Sequence, residues 1–315
     1  MKKVRIGLIG LGSFAHIARL PVLVELDNIE LAACMSRSKE KVKTIAKKYG
    51  FQEWFTELTD FINKSNVDAA IVCTPKQTHY EIVMKLLNNG INVFCEKPMA
   101  MFIKEAEEMV ECAEKNNLIL MIGFNRRYAP VYEWAKKEFE DKRPDICIAL
   151  KNRPGTEYRA TMENAIHMVD LMRFFCGECI EIKAYSKFDD PYYETNAAAL
   201  LRFDEGTFGF LLGNRTCGQW MERVELYGDG KTVIVNCPDS ITVIDKERES
   251  SIHLTPLNFG WARLIDKMGF KQELEAFIKS LTENEKPRNL ASDSIKTHIL
   301  LNEVLKVAGL PPLEE

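Results

Sequence analysis

The first 123 residues alternate two kinds of pattern, and that alternation leaves few folds open. Short apolar or β-branched runs at 3–9, 29–35, 68–73, 91–95 and 118–122 are separated by helical patterns at about 13–26, 38–49, 57–64, 78–89 and 102–116. Successive strands joined through helices must cross over, and right-handed crossovers produce a parallel sheet with helices on both faces. After Arg143-Pro144 the pattern changes. Strand-like runs at 145–152, 179–187, 196–204, 207–213, 222–228, 231–236 and 241–245 follow one another, with Asp204-Glu205-Gly206 and Gly228-Asp229-Gly230 as turn signals. One helix at about 163–176 interrupts them, and two more, at about 262–282 and 291–308, close the chain.

The prediction is an α/β chain: a doubly wound parallel sheet over 1–123, then an α+β domain over 124–315 with a large, mostly antiparallel open sheet in meander order. The C-terminal helices have the option of packing back on the first domain. Helices on one face of the second sheet leave its other face to be covered, most cheaply by another copy of the chain, which predicts a homodimer or homotetramer.

Composition excludes some partners. Of 315 residues 46% are hydrophobic and 28% charged, and the formal net charge is −4, which gives no electrostatic reason to expect nucleic acid or an anionic membrane. No apolar run approaches the roughly 20 residues of a membrane span, and Met1-Lys2-Lys3-Val4-Arg5 leads directly into a strand. The nine cysteines lack a framework spacing, so reduced thiols and a cytoplasmic protein are predicted. Cys176-Gly177-Glu178-Cys179 has redox spacing, but Gly177 reads as a helix cap, and no second pair completes a metal site.

Gly10-Leu11-Gly12-Ser13-Phe14-Ala15 follows the first strand. Gly10 permits the turn, Gly12 admits a pyrophosphate to backbone N–H groups, and Ala15 allows close helix packing. Ser13 and Phe14 complete the candidate cofactor loop. The second strand ends in Ser36-Arg37-Ser38-Lys39 rather than in an acid, with Glu30 too early to substitute. Hydroxyls and cations at Ser36 and Arg37 suit a 2′-phosphate, so NADP(H) is favoured, with NAD(H) as the alternative.

Further motifs complete a pattern: Thr74-Pro75 with His79, Glu96-Lys97-Pro98, Gly123-Phe124-Asn125-Arg126-Arg127-Tyr128, and Glu163, His167 and Asp170. With these the chain resembles the glucose–fructose oxidoreductase / inositol dehydrogenase / MocA (Gfo/Idh/MocA) family over nearly its whole length. The resemblance implies a Rossmann domain, a nicotinamide cofactor, and usually a sugar, cyclitol or related polyol as substrate. It sets Thr74, Pro75 and His79 near the cofactor's ribose and nicotinamide, and Glu96 and Lys97 where the nicotinamide meets the substrate.

Hydride transfer needs a group for the hydroxyl proton and another to steady charge on that oxygen. Lys97 and His167 are the candidates. Burial lowers a lysine pKa and a nearby Glu96 raises it. At about 100° per residue Glu163, His167 and Asp170 fall within about 60° of one another on a helix, and they form the candidate substrate stripe with Tyr128 and Arg126. Arg127 reads equally as an exposed cation. The family more often has Asp where this chain has Glu163. Asn152-Arg153, Tyr158 and Trp261 are further pocket candidates. Two other readings remain open: an enzyme that keeps its cofactor bound and returns the hydride, in glycosidase or paired-redox chemistry, and a non-catalytic cofactor sensor.

Overall fold

The structure, a computed structural model, describes residues 3–155, 160–190, 193–255, 263–283 and 285–309. The chain divides into two compact units, one made of residues up to 124 together with 270–295, the other of 125–269 together with the chain from 296 onward.

The first unit holds β1 (Val4–Ile9), a π-helical turn (Ala15–Arg19) running into α1 (Leu20–Leu23), β2 (Ile29–Met35), α2 (Lys39–Tyr49), β3 (Glu53–Phe55) and α3 (Leu58–Lys64). Then come β4 (Ala69–Val72), α4 (His79–Asn88), β5 (Asn92–Cys95), α5 (Ile103–Lys115) and β6 (Leu120–Ile122). The six strands pair in parallel in the order β3-β2-β1-β4-β5-β6. β4 is buried throughout, as a parallel strand covered on both faces must be. Ser38 caps α2, and Gly50 ends it in a left-handed conformation.

Two details differ from the sequence expectation. The helix expected over 13–26 is a π turn followed by one α turn with Pro21 near its start. Proline has no N–H for a helical bond, so the helix cannot run through it unbroken. β3 has only three residues, at the sheet edge, too short for a periodic signal.

The second unit begins with a 3₁₀ turn (Asn125–Tyr128) and α6 (Pro130–Glu138), followed by β7 (Ile146–Asn152), a π-helical turn (Ala160–Ala165) and α7 (Ile166–Cys176). Seven strands follow: β8 (Cys179–Asp190), β9 (Tyr193–Phe203), β10 (Phe208–Asn214), β11 (Met221–Gly228), β12 (Lys231–Asn236), β13 (Ser240–Asp245) and β14 (Arg248–His253). After them come α8 (Leu264–Lys267), α9 (Phe270–Thr282) and α10 (Ala291–Val307). The sheet order is β14-β13-β12-β11-β7-β10-β9-β8. It is mostly antiparallel, but it is not the expected meander. β7 lies between β10 and β11, parallel to the first and antiparallel to the second.

α6 and α7 pack on one face of this sheet. Gly209 lets α7 approach, since a Cβ there would collide with Met172. The opposite face presents Phe208, Phe210 and Leu212 at 48%, 40% and 38% exposure, an apolar row that solvation alone does not explain. The expected helix over 262–282 breaks at Met268-Gly269. Gly269 has φ +80°, and a Cβ on it would collide with the Asn125 carbonyl. Among the described residues no helix is long and apolar enough to cross a membrane.

Candidate active site

In the first unit the strand order reverses between β1 and β4, where the carboxyl ends of parallel strands open a crevice. Gly10 has φ +92°, and a Cβ on it would lie 2.7 Å from the Cys73 carbonyl and the Thr74 nitrogen. No other residue fits there. A Cβ on Gly12 would meet nothing within 4 Å, and Gly12, Ser13 and Phe14 are exposed while Ala15 is fully buried. One side of the loop is shut against the sheet and the other is open to a ligand's close approach. This suits a dinucleotide pyrophosphate.

The neighbouring strand ends gather the other cofactor candidates. His79 is buried, with Nε2 2.9 Å from the Thr74 carbonyl oxygen and Nδ1 2.8 Å from that of Pro98. Burial lowers its pKa, against the pull of those carbonyls. A neutral imidazole has one N–H, so it donates to only one of the two. Thr78 Oγ1 donates to Thr74 Oγ1 and stiffens the Thr74-Pro75 turn. The Glu96 N–H donates to the Val72 carbonyl, which carries the β5 ladder to its end, and half-buried Lys97 follows.

At the end of β2, Ser36 is half-buried and donates its N–H to Phe55, while Arg37 is exposed. Ser38 accepts from the Lys41 N–H as a helix cap. Glu30 is paired with Arg5 at 3.1 Å and also accepts from Gln52. The strand's own acid is thus engaged away from the strand end.

Sequence reading missed one residue at this end. Arg19 is fully buried, with Nε donating to Glu96 Oε1 at 2.7 Å and Nη2 to Glu273 Oε2 at 2.9 Å. Burial opposes its charge, but the two carboxylates outweigh that and hold its pKa above the ordinary arginine value. Within an apparent amphipathic helix it had no signal of its own.

The second unit gathers a different set. Asn125, Arg126, Arg127 and Tyr128 are all buried, which excludes the reading of Arg127 as an exposed cation. Arg126 makes a two-pronged pair with Glu222, at 2.8 and 2.9 Å. Arg127 does the same with Asp170, at 2.8 and 2.6 Å, and Thr297 adds a third donor to that carboxylate. Asp170 is thus brought together with Arg127, and Arg126 with Glu222.

His167 is buried in the first turn of α7. Glu163 stands in the wider π turn before it, so the α-helical stripe calculated for Glu163, His167 and Asp170 applies only from Ile166 onward. Asn164 donates to the Lys151 carbonyl and ties this turn to β7. Tyr158 and Trp261 lie outside the described residues.

Lys151 is the second residue that sequence reading missed. Its ammonium lies 2.8 Å from Glu222 Oε2. Burial and Arg126 together lower its pKa to about 8, against the opposing pull of Glu222. Burial alone would raise Glu222, but Arg126 and Lys151 hold it well below the carboxylate range. The signal was available: Cys147, Ala149 and Lys151 alternate on the buried face of β7, and a lysine there needs a partner. Among the described residues no group of His, Cys, Asp and Glu is disposed to hold a metal.

Residues 4–124 match a family described as an oxidoreductase family with an NAD-binding Rossmann fold, and residues 140–234 match the GFO/IDH/MocA C-terminal domain. The myo-inositol 2-dehydrogenase of Thermotoga maritima is 25% identical over 96% of this chain and 95% of its own length. Oxidoreductase P35 of Formosa agariphila is 31% identical over 64% of this chain and 69% of its own. The crystal structure of a dehydrogenase (MviM) from Clostridium difficile superposes with a TM-score of 0.87, at 25% identity, over 97% of this chain and 99% of that one.

Proposed function

The chain belongs to the Gfo/Idh/MocA family of oxidoreductases, and from that premise we propose that it moves a hydride between a nicotinamide cofactor and a sugar, a cyclitol or a related polyol or carbonyl compound. The observation that carries this reading is the cluster of Gly10, Thr74, His79 and Glu96-Lys97-Pro98 at adjoining strand ends of one parallel sheet. The bound nicotinamide supplies the hydride acceptor and donor at its C4.

Lys97 hydrogen-bonds the reacting oxygen and steadies the negative charge that develops there. His167 takes the hydroxyl proton in oxidation and returns it in reduction. Tyr128 and Glu163 orient substrate hydroxyls. Asp170 and Arg126, each already held by a buried partner, act by fixing the walls around the substrate. Ser36 and Arg37 take the 2′-phosphate, which makes NADP(H) the preferred carrier over NAD(H).

The first test is calorimetric titration with NADPH and NADH, followed by a screen of inositols and hexoses for nicotinamide reduction. Tighter NADPH binding, weakened about tenfold in Arg37→Ala with NADH unaffected, is expected for the loss of one charge-assisted contact. A preference for NADH would overturn the carrier assignment. Binding of neither would overturn the enzyme reading. Turnover without net reduction would transfer the assignment to retained-cofactor chemistry.

The apolar row Phe208, Phe210 and Leu212, continued by Leu200 and Ile146, supports a homo-oligomer formed through the open sheet face. Light scattering should give a dimer or tetramer, and Phe210→Lys should shift it toward monomer. Nine free thiols are in keeping with a cytoplasmic setting.

A further inference from the structure

Arg19 touches both motifs of the cofactor end. Its guanidinium carbon lies 5.8 Å from the ring of Phe14 in the glycine loop, 4.5 Å from Phe94 in β5 and 5.3 Å from Phe270 at the start of α9. Its nitrogens bind Glu96, the residue before Lys97, and Glu273. Glu273 is steadied in turn by Asn289, whose amide also donates to the Ile122 carbonyl. Gly123 leaves room for the cluster, since a Cβ there would come within 2.9 Å of Glu96 Oε2. Arg19 and Glu273 are wholly buried, whereas Glu96 keeps 6% exposure.

Stability alone does not account for this arrangement. One guanidinium faces two carboxylates, and its Nη1 has no hydrogen-bond acceptor among the described residues. An apolar side chain of similar volume commonly serves a core as well as a buried ion cluster or better. What the cluster adds is a fixed direction for Glu96. Lys97 then follows a neighbour held by Arg19 and precedes a proline whose carbonyl lies 2.8 Å from His79 Nδ1.

We propose that Arg19 is a positioning residue that couples the glycine loop to the end of β5, keeping Lys97 in register with the nucleotide the loop binds, with Glu273 as its brace. The inference rests on the hydride-transfer reading. Arg19 touches neither substrate nor cofactor in this scheme and acts through Glu96.

The test uses the full chain as wild type, as Arg19→Lys, and as the paired apolar replacement Arg19→Met/Glu273→Leu. Thermal denaturation, cofactor affinity, kcat and KM are measured for each. A displacement of Lys97 by about 1 Å should lower kcat about 100-fold, with KM and cofactor affinity changed less than about threefold. Arg19→Lys should recover part of kcat relative to the double variant, because it restores one ion pair.

A folded, cofactor-binding variant with wild-type kcat in either form would overturn the inference, and so would loss of fold in both, which assigns Arg19 to stability. Failure of the underlying reading looks different: the wild type itself then binds neither NADPH nor NADH.

Discussion

Each unit buries a cluster of three charges, and the two clusters are opposite in sense. In the first, one cation, Arg19, lies between two carboxylates, Glu96 and Glu273. In the second, one carboxylate, Glu222, lies between two cations, Arg126 and Lys151. The outcomes follow the minority member. Arg19 is held above its ordinary pKa by two acids, and Glu222 is held well below its own by two bases. Lys151, buried and beside the arginine that shares its acid, falls to about 8. Burial therefore does not demand neutrality. It demands that the minority charge be met by opposite charge on more than one side, and it leaves one surplus charge in each cluster. On the proposed reading a surplus negative charge suits a nicotinamide that is cationic when oxidised, and a surplus positive charge suits a substrate rich in oxygen lone pairs.

The contrast is easiest to break at Glu222. Glu222→Gln leaves Arg126 and Lys151 buried without a carboxylate and should cost about 3–5 kcal/mol in urea unfolding. Glu273→Gln leaves Arg19 with Glu96 as a one-to-one pair and should cost about 1 kcal/mol. Equal losses would show that the two clusters do not differ as described.

Next in size are the residues proposed to react, one from each unit. Lys97→Met and His167→Ala should each lower kcat about 100-fold with unchanged cofactor affinity. Wild-type turnover in either variant would remove that residue from the chemistry.

The smallest effects are in pH dependence, and they fall on opposite sides of neutrality. Lys151 titrates at about 8 when folded and at 10.5 as a fully solvated side chain, so between those values the unfolded chain binds more protons. Stability of the wild type relative to Lys151→Met should therefore rise as pH climbs from 8 toward 10.5. His79 is lowered from 6.5, so the unfolded chain binds more protons below that value and stability should fall on acidification. His79→Gln should flatten that limb. A flat difference in either comparison would mean that the group is not shifted in the folded chain.

What could be read in advance was local. The β1 run, the glycine loop, Ser38 as a cap, Gly177 as a helix end and the Glu96-Lys97-Pro98 strand end each declare themselves within a few residues, and each stands where expected. What could not be read was relational. Arg19 had no signal of its own because Glu273 is 254 positions away. The place of β7 between β10 and β11 is a choice among pairings that alternation cannot rank. β14 has every residue exposed and so lacks the periodic signal that marks a half-buried strand. Nor did any sequence period announce the π turn that holds Glu163.

The Glu273 and Asn289 contacts also set a schedule for synthesis. Domains generally fold as they leave the ribosome, amino-terminal first. Here the six strands of the first sheet can pair early, but the acid that braces Arg19 and the amide that bonds the Ile122 carbonyl emerge only after all eight strands of the second sheet. The unit that is begun first is completed only after the second sheet has been made. Until then Arg19 has Glu96 but not Glu273 to answer its charge.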